Sequence, residues 1–345
     1  MKQFLRRLFL FVTIPSVLLL GGYLYFDPFK VIYTYDHYDR TPVISSRDYI
    51  STEQYLKNKD KYHYNSFIFG SSRTIAFKTD TWKQYLDKDA VPYKFDASAE
   101  SIAGIASKLK YLDKENAPIK NALIILCRDW SFTAQKNRTE HLFKKHPAVS
   151  GKSWLDFHFA FLKAYLNPRF LWVYYNYQWT GQYKDWMVYV IAEDAFTVDP
   201  VTNEMTETGL DRKIEKNPKQ YVKDLGGVFY DRPEKAKEDS ISRIDSDYLK
   251  MLLEMKSILE KHKTKYKIVA GPLYEQVKWN RNDKAILVKI FGNHFYDYTG
   301  KNKFTGNEEN YYENSHYRPV VGTVIFEEIF REENKEASRL VGLPK

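Results

Sequence analysis

A pair of hydroxyls stands where an apolar run ends, in Phe67-Ile68-Phe69-Gly70-Ser71-Ser72-Arg73. A serine hydroxyl is a weak nucleophile unless a base lies within reach. The base in turn needs a third group to orient it. Far along the chain, Glu313-Asn314-Ser315-His316 offers both. Their spacing lets a carboxylate and an imidazole meet in a turn or half-turn of helix. Glu313 would then set the tautomer of His316, with the other ring nitrogen turned to Ser72. The chemistry of such a set is acyl transfer at an ester carbonyl, with Ser72 as nucleophile, His316 as base and Glu313 as orienter. Ser71 is the alternative nucleophile. Taken singly, each residue has a plainer role: the serines as helix caps, His316 as a surface histidine, Glu313 as a solvated charge.

These residues need elements that bring them together. Short apolar runs alternate with helical patterns. "NSFIFG" (65–70), "PYKFDAS" (92–98), "NALIILC" (121–127), "YKIVAGPL" (266–273) and "HFYDYT" (294–299) read as strands. Between them, 80–86, 100–116, 245–263 and a segment near 279–290 read as helices, and a last helix begins at 318. Ile102, Ile105, Leu109 and Leu112 lie at helical spacing. This alternation predicts an α/β fold, a flavodoxin-like three-layer parallel sheet, over residues 61–345. In open α/β sheets, reactive groups gather at the carboxyl ends of the strands. Gly70–Arg73, "DASAES", "CRDW" and the segment after "HFYDYT" fall at such ends. Asp129 of "CRDW" is either a site residue or a cap. Residues 131–240 break the rhythm with dense Trp, Tyr and Phe, and read as a largely helical insertion, a lid or substrate platform. Residues 27–60 mix aromatic and charged residues without a period, and read as an irregular stalk.

With these segments in view, the chain resembles the SGNH (GDSL-like) hydrolases. Gly70-Ser71-Ser72 looks like their first block, where the serine two places after the glycine is the nucleophile. Glu313-x-x-His316 looks like their last block, Asp-x-x-His, with glutamate for aspartate. The flanking "YDYTGKNKFTG" and "YYENSHYRPVVG" are similar to membrane-anchored bacterial members. The resemblance covers residues 65–130 and 266–331 but not the aromatic insertion. It implies an SGNH-type sheet and a serine esterase or O-acyltransferase without a cofactor. It further implies oxyanion donors. At the second block, Ala97 or Ser98 would supply the N–H that the family takes from glycine. At the third block, Arg128 stands where the family has asparagine. Losing a donor of that kind costs roughly 100- to 1000-fold in turnover. Similar departures occur in the branch concerned with polysaccharide O-acetylation, which favours acetyl esters of a cell-surface glycan as substrate. Two other readings stay open: a catalytically idle relative that binds glycan or assembles surface polymer, and an esterase acting on lipid.

The start of the chain adds a location. Lys2, Arg6 and Arg7 precede an uncharged stretch from Leu8 to Phe26, long enough to cross a hydrocarbon core at ~1.5 Å rise per residue. Pro15 does not prevent insertion, and Tyr23, Tyr25 and Phe26 suit an interfacial belt. The rival is a cleaved signal peptide, but Gly21-Gly22 is followed by bulky residues. The expectation is a signal anchor over 8–26, with residues 1–7 cytoplasmic and the main domain periplasmic or extracellular.

The formal charge of +9 favours anionic surroundings, but basic residues are scattered among acidic ones and no nucleic-acid motif is present. The single cysteine, Cys127, excludes an intrachain disulfide framework and a cysteine-based zinc site, and reads as a buried structural thiol. His141 and His146 do not share a helical face, which argues against a metal pair. His146, before Pro147, is a candidate loop residue near the site, and His294 reads as structural. Expected partners are the membrane and an acylated glycan or small ester, with no nucleic acid and no metal.

Overall fold

"SFIFG" and "NALIIL" have no polar alternation, which suits strands covered on both faces. In the computed structural model, which describes residues 1–38, 42–133, 140–192 and 197–340, both segments are strands buried at every position. They belong to a five-stranded sheet built from β1 (Ser66–Gly70), β2 (Pro92–Lys94), β3 (Asn121–Leu126), β4 (Lys265–Ala270) and β5 (Phe295–Asp297), in the order β2-β1-β3-β4-β5. All neighbours are parallel. The order turns back between β1 and β3. In doubly wound sheets this switch point opens a crevice outside the carboxyl ends of the strands.

Side chains alternate across the sheet. On one face, Ile68, Leu123, Ile125 and Val269 pack against Val321, Ile325, Phe326 and Ile329 of the last helix, Pro319–Leu340. The other face takes Phe67, whose ring meets Tyr55 of helix Arg47–Tyr62. Helix Ile102–Lys114 buries the four apolar residues expected of it. Helix Ser246–Lys261 starts at Asp245, whose carboxylate accepts the N–H groups of Asp247 and Tyr248.

The chain divides into two compact units, Met1–Glu53 with Arg138–Ala195, and Gln54–Asn137 with Phe196–Lys345. Two expectations change as a result. Residues 27–60 are not an irregular stalk. Phe29, Val31 and Tyr38 are core residues, and Arg47–Tyr62 is helical. That helix buries Ser51, Thr52 and Gln54 beside Tyr49, Ile50 and Tyr55. Polar residues on the inside erase the apolar period that would have revealed it.

The 131–240 insertion is not one body either. Helices Trp154–Tyr165 and Pro168–Thr180 place Phe157, Phe161, Tyr165, Phe170 and Tyr174 in the core that holds Phe29 and Val31. From residue 197 onward the chain belongs to the sheet unit. There a short antiparallel ribbon, 197–198 with 205–206, covers edge strand β2. Lys94 donates its N–H to Thr202, and Asn203 donates to the Lys94 carbonyl. Residues 134–139 and 193–196 of the expected insertion lie outside the described residues.

Candidate active site

Gly70 ends β1 with φ +150, and a Cβ there would lie 2.9 Å from the Ile125 carbonyl oxygen and 3.0 Å from Thr74 Cγ2. Only glycine lets the strand turn so tightly against β3. Ser71 follows in extended conformation and caps a 3₁₀ turn, Ser72–Ala76. Its own hydroxyl lies 3.2 Å from Cys127 Sγ and is buried. Ser72, next along, projects its hydroxyl the other way.

The histidine arrives on a hairpin. Tyr311–Glu313 pairs antiparallel with His316–Tyr317, and Glu313 stands directly opposite His316. Of the turn or half-turn of helix expected here, it is a turn, the two-residue loop Asn314-Ser315, that brings the two together. The reason is burial: Tyr311, Tyr312 and Tyr317 are core residues on both sides of the loop, and an extended ribbon buries all three. Behind the hairpin, Asp211 accepts hydrogen bonds from Tyr312 Oη (2.7 Å) and Arg318 Nε (3.0 Å). The following helix is pressed onto the serine turn. A Cβ on Gly322 would lie 1.9 Å from the Ala76 carbonyl oxygen, so only glycine fits.

These constraints bring Ser72 Oγ to 2.7 Å from His316 Nε2, across 244 positions of sequence. His316 Nδ1 is hydrogen-bonded to Glu313 Oε1, and Glu313 Oε2 accepts the Ser315 N–H at 2.7 Å. Burial pushes the Glu313 carboxyl up. The hydrogen bond and charge of His316, the Ser315 N–H and Arg73 together outweigh that and hold it below the usual carboxylate range. An ionised Glu313 accepts from Nδ1–H, which leaves the Nε2 lone pair to accept from Ser72.

Arg73, which the sequence reading passed over, ties the site together. It is buried, and its guanidinium grips Asp129 with two bonds, Nη1 to Oδ1 at 2.6 Å and Nη2 to Oδ2 at 2.9 Å. It also donates from Nε to the Ser315 carbonyl at 2.8 Å and from Nη2 to Ser315 Oγ at 3.1 Å. One side chain therefore joins the serine turn, the end of β3 and the hairpin loop. Asp129 is its counter-ion rather than a cap. Opposite charges at two neighbouring strand ends, Arg73 and Asp129, were the available signal. Thr74 adds a further tie, donating its hydroxyl to buried Asp96 at 2.7 Å.

The expected oxyanion donors fare differently. Ala97 donates its N–H to the Gly70 carbonyl at 3.2 Å, prolonging the β1–β2 pairing, so it is not available. Arg128 is also occupied. Its guanidinium pairs with Asp239, and with Glu275 at 3.1 Å from Nε and 2.5 Å from Nη2. Three of its five N–H groups are thus held by two carboxylates, and these acids come from segments the strand-end reading did not include. The N–H groups of Ser72, at the start of its turn, and of Ser98 have no hydrogen-bond partner among the described residues.

The other histidines have structural partners. His294 lies against the Tyr266 ring, 4.3 Å between centroids. His146 is bonded to Glu53 and caps the short helix Pro147–Ser150. Compared with known proteins, the chain matches no family model and no curated protein.

Proposed function

We propose that this protein is a membrane-anchored serine esterase or O-acyltransferase of SGNH type, acting on acetyl esters of a cell-surface glycan. The observation that carries the reading is the continuous set Ser72 Oγ, His316 and Glu313, with 2.7 Å between hydroxyl and imidazole. This lies within the range a general base needs. The sheet order with the serine turn after β1 supports the SGNH assignment. One helix, Lys2–Phe26, long and apolar enough to span a membrane, supports the anchor. The basic residues before it favour a cytoplasmic N-terminus and a catalytic unit outside.

In this scheme His316 Nε2 takes the Ser72 proton as Oγ attacks the ester carbonyl carbon. The oxyanion is held by the Ser72 and Ser98 N–H groups. The tetrahedral intermediate collapses, the ester C–O bond breaks, and His316 returns the proton to the departing alkoxide. Water or a sugar hydroxyl then attacks the acyl-Ser72 carbonyl carbon, losing its proton to His316; the Oγ–C bond breaks, and His316 returns that proton to Ser72 as the acid or the new ester leaves. Arg73 holds the Ser315 carbonyl, one residue before the base, and so fixes the hairpin against the nucleophile.

A second reading has its own observation. Arg128 stands where an asparagine donor is expected and is bound to two carboxylates. An SGNH-like protein lacking that donor fits an idle glycan binder or a component of surface-polymer assembly. A fluorophosphonate probe separates the two. Labelling of the folded protein that disappears in Ser72→Ala supports the enzyme. Absence of labelling, or labelling that persists in Ser72→Ala, refutes it.

A further inference from the structure

The spanning-length helix does not end in a flexible tether. Asp27 follows it in the left-handed conformation (φ 37) and is buried. Its N–H returns to the Tyr23 carbonyl at 3.0 Å. Its carboxylate accepts the N–H groups of Val31 and Ile32, both at 2.9 Å, and the Tyr35 hydroxyl at 3.0 Å. Within the same unit, Tyr23 packs on Tyr165 with centroids 5.1 Å apart, and Phe26 packs on Tyr174 and Tyr175. The end of the apolar helix is thus joined rigidly to helices Trp154–Tyr165 and Pro168–Thr180.

Those helices also expose large apolar residues, next to polar ones such as Asp156, which pairs with Lys144, and Gln178. In the first, Phe157, Phe161 and Tyr165 face the core, while Leu155 and Phe159 are 84% and 66% exposed. In the second, Trp172, Tyr175 and Trp179 are exposed at helical spacing, Trp179 to 92%. Exposed aromatic groups of this size mark an interaction surface. Lys163 and Arg169 are exposed beside them, where long cationic side chains reach lipid phosphate.

We propose that the outer faces of helices Trp154–Tyr165 and Pro168–Thr180 lie in the interfacial layer of the bilayer that helix Lys2–Phe26 enters. Continuity with that helix selects lipid as the occupant. Trp and Tyr favour that layer, where an apolar ring and a polar edge are both accommodated. The surface does not depend on the esterase reading.

The test uses the full chain in phosphatidylethanolamine–phosphatidylglycerol vesicles, with lipid brominated near the headgroup end of the acyl chains. Tryptophan emission of the wild type is expected to be quenched by the brominated lipid. The Trp172→Phe/Trp179→Phe variant, which keeps the surface apolar, loses a large part of that quenching, and what remains comes from the other five of the seven tryptophans. External iodide reaches these two positions poorly in vesicles. Equal bromolipid quenching in both proteins overturns the proposal, because those tryptophans then face water. Weak bromolipid quenching of the wild type together with a dimeric mass also overturns it, in favour of a second copy as the occupant.

Discussion

Two histidine–glutamate pairs in this protein look alike at first contact and differ in everything else. His146 Nε2 lies 2.7 Å from Glu53, and His316 Nδ1 is bonded to Glu313. The difference lies in the second ring nitrogen. His146 Nδ1 accepts the Ala148 N–H at 3.1 Å and closes a helix start, and the residue is wholly buried. His316 Nε2 meets the Ser72 hydroxyl, and its side chain is 32% exposed. A carboxylate beside an imidazole is therefore no sign of catalysis by itself. What matters is whether the opposite nitrogen faces a satisfied backbone group or a reactive hydroxyl open to solvent.

The largest effect expected from that contrast comes from removing each ring. His316→Ala is expected to lower ester turnover roughly 10⁴-fold or more, with the fold and melting temperature near wild type. His146→Ala is expected to leave the labelling rate of folded protein unchanged. It removes a buried hydrogen-bonded group and costs about 1–3 kcal/mol in stability, measured by denaturant unfolding of the detergent-solubilised chain. Equal loss of activity in the two variants would dissolve the distinction.

A smaller effect sharpens it. The Arg73–Asp129–Ser315 connection is particular to the His316 pair. Asp129→Asn keeps the side-chain shape but removes the charge that Arg73 grips. With the hairpin less well fixed, turnover is expected to fall by up to about 10²-fold while KM changes little. A rise in KM at constant kcat would instead mean that Asp129 contacts substrate, and the positioning role would be lost.

The smallest effect is in pH. The folded Glu313 carboxyl titrates below its unfolded value, which is about 4.3. The folded state then binds fewer protons, so the contribution to stability is fully present above the unfolded value. It disappears as pH falls through the lower folded value. Melting curves of wild type and Glu313→Gln should therefore differ most near neutrality and converge on acidification. A gap that widens at low pH contradicts this assignment.

Much of the sheet unit was readable from residue order. Apolar runs of strand length and amphipathic helices of clear period are local signals, and the observed strands and helices begin within a few residues of the expected ones. Ser72, Glu313 and His316, which the fold joins by hydrogen bonds, were readable for a similar reason, because Gly70-Ser71-Ser72 and Glu313-x-x-His316 are short-range patterns. The unit formed by the N-terminal segment with residues 138–192 was not. Its part of helix Arg47–Tyr62, as far as Glu53, buries Ser51 and Thr52 and shows no apolar period. Its aromatic core joins segments more than a hundred positions apart, as Phe29 with Phe161. The ion pairs of Arg128 were not legible for the same reason: its partners Asp239 and Glu275 are separated from it by 111 and 147 positions.

Residue order by itself determined a parallel α/β sheet, a spanning-length apolar helix and the identities of a serine, a histidine and a glutamate that could form one hydrogen-bonded set. Those rest on covalent spacing and on hydrophobic periodicity, which act over a few turns or strand repeats. Tertiary structure alone decided that Ser72 rather than Ser71 meets the imidazole, that Glu313 reaches it across a hairpin, and that Arg73 binds the two halves of the site. It also decided that Arg128 and Ala97 are committed elsewhere. Each of these depends on which distant groups compete for a hydrogen bond, and that competition exists only once the chain is packed.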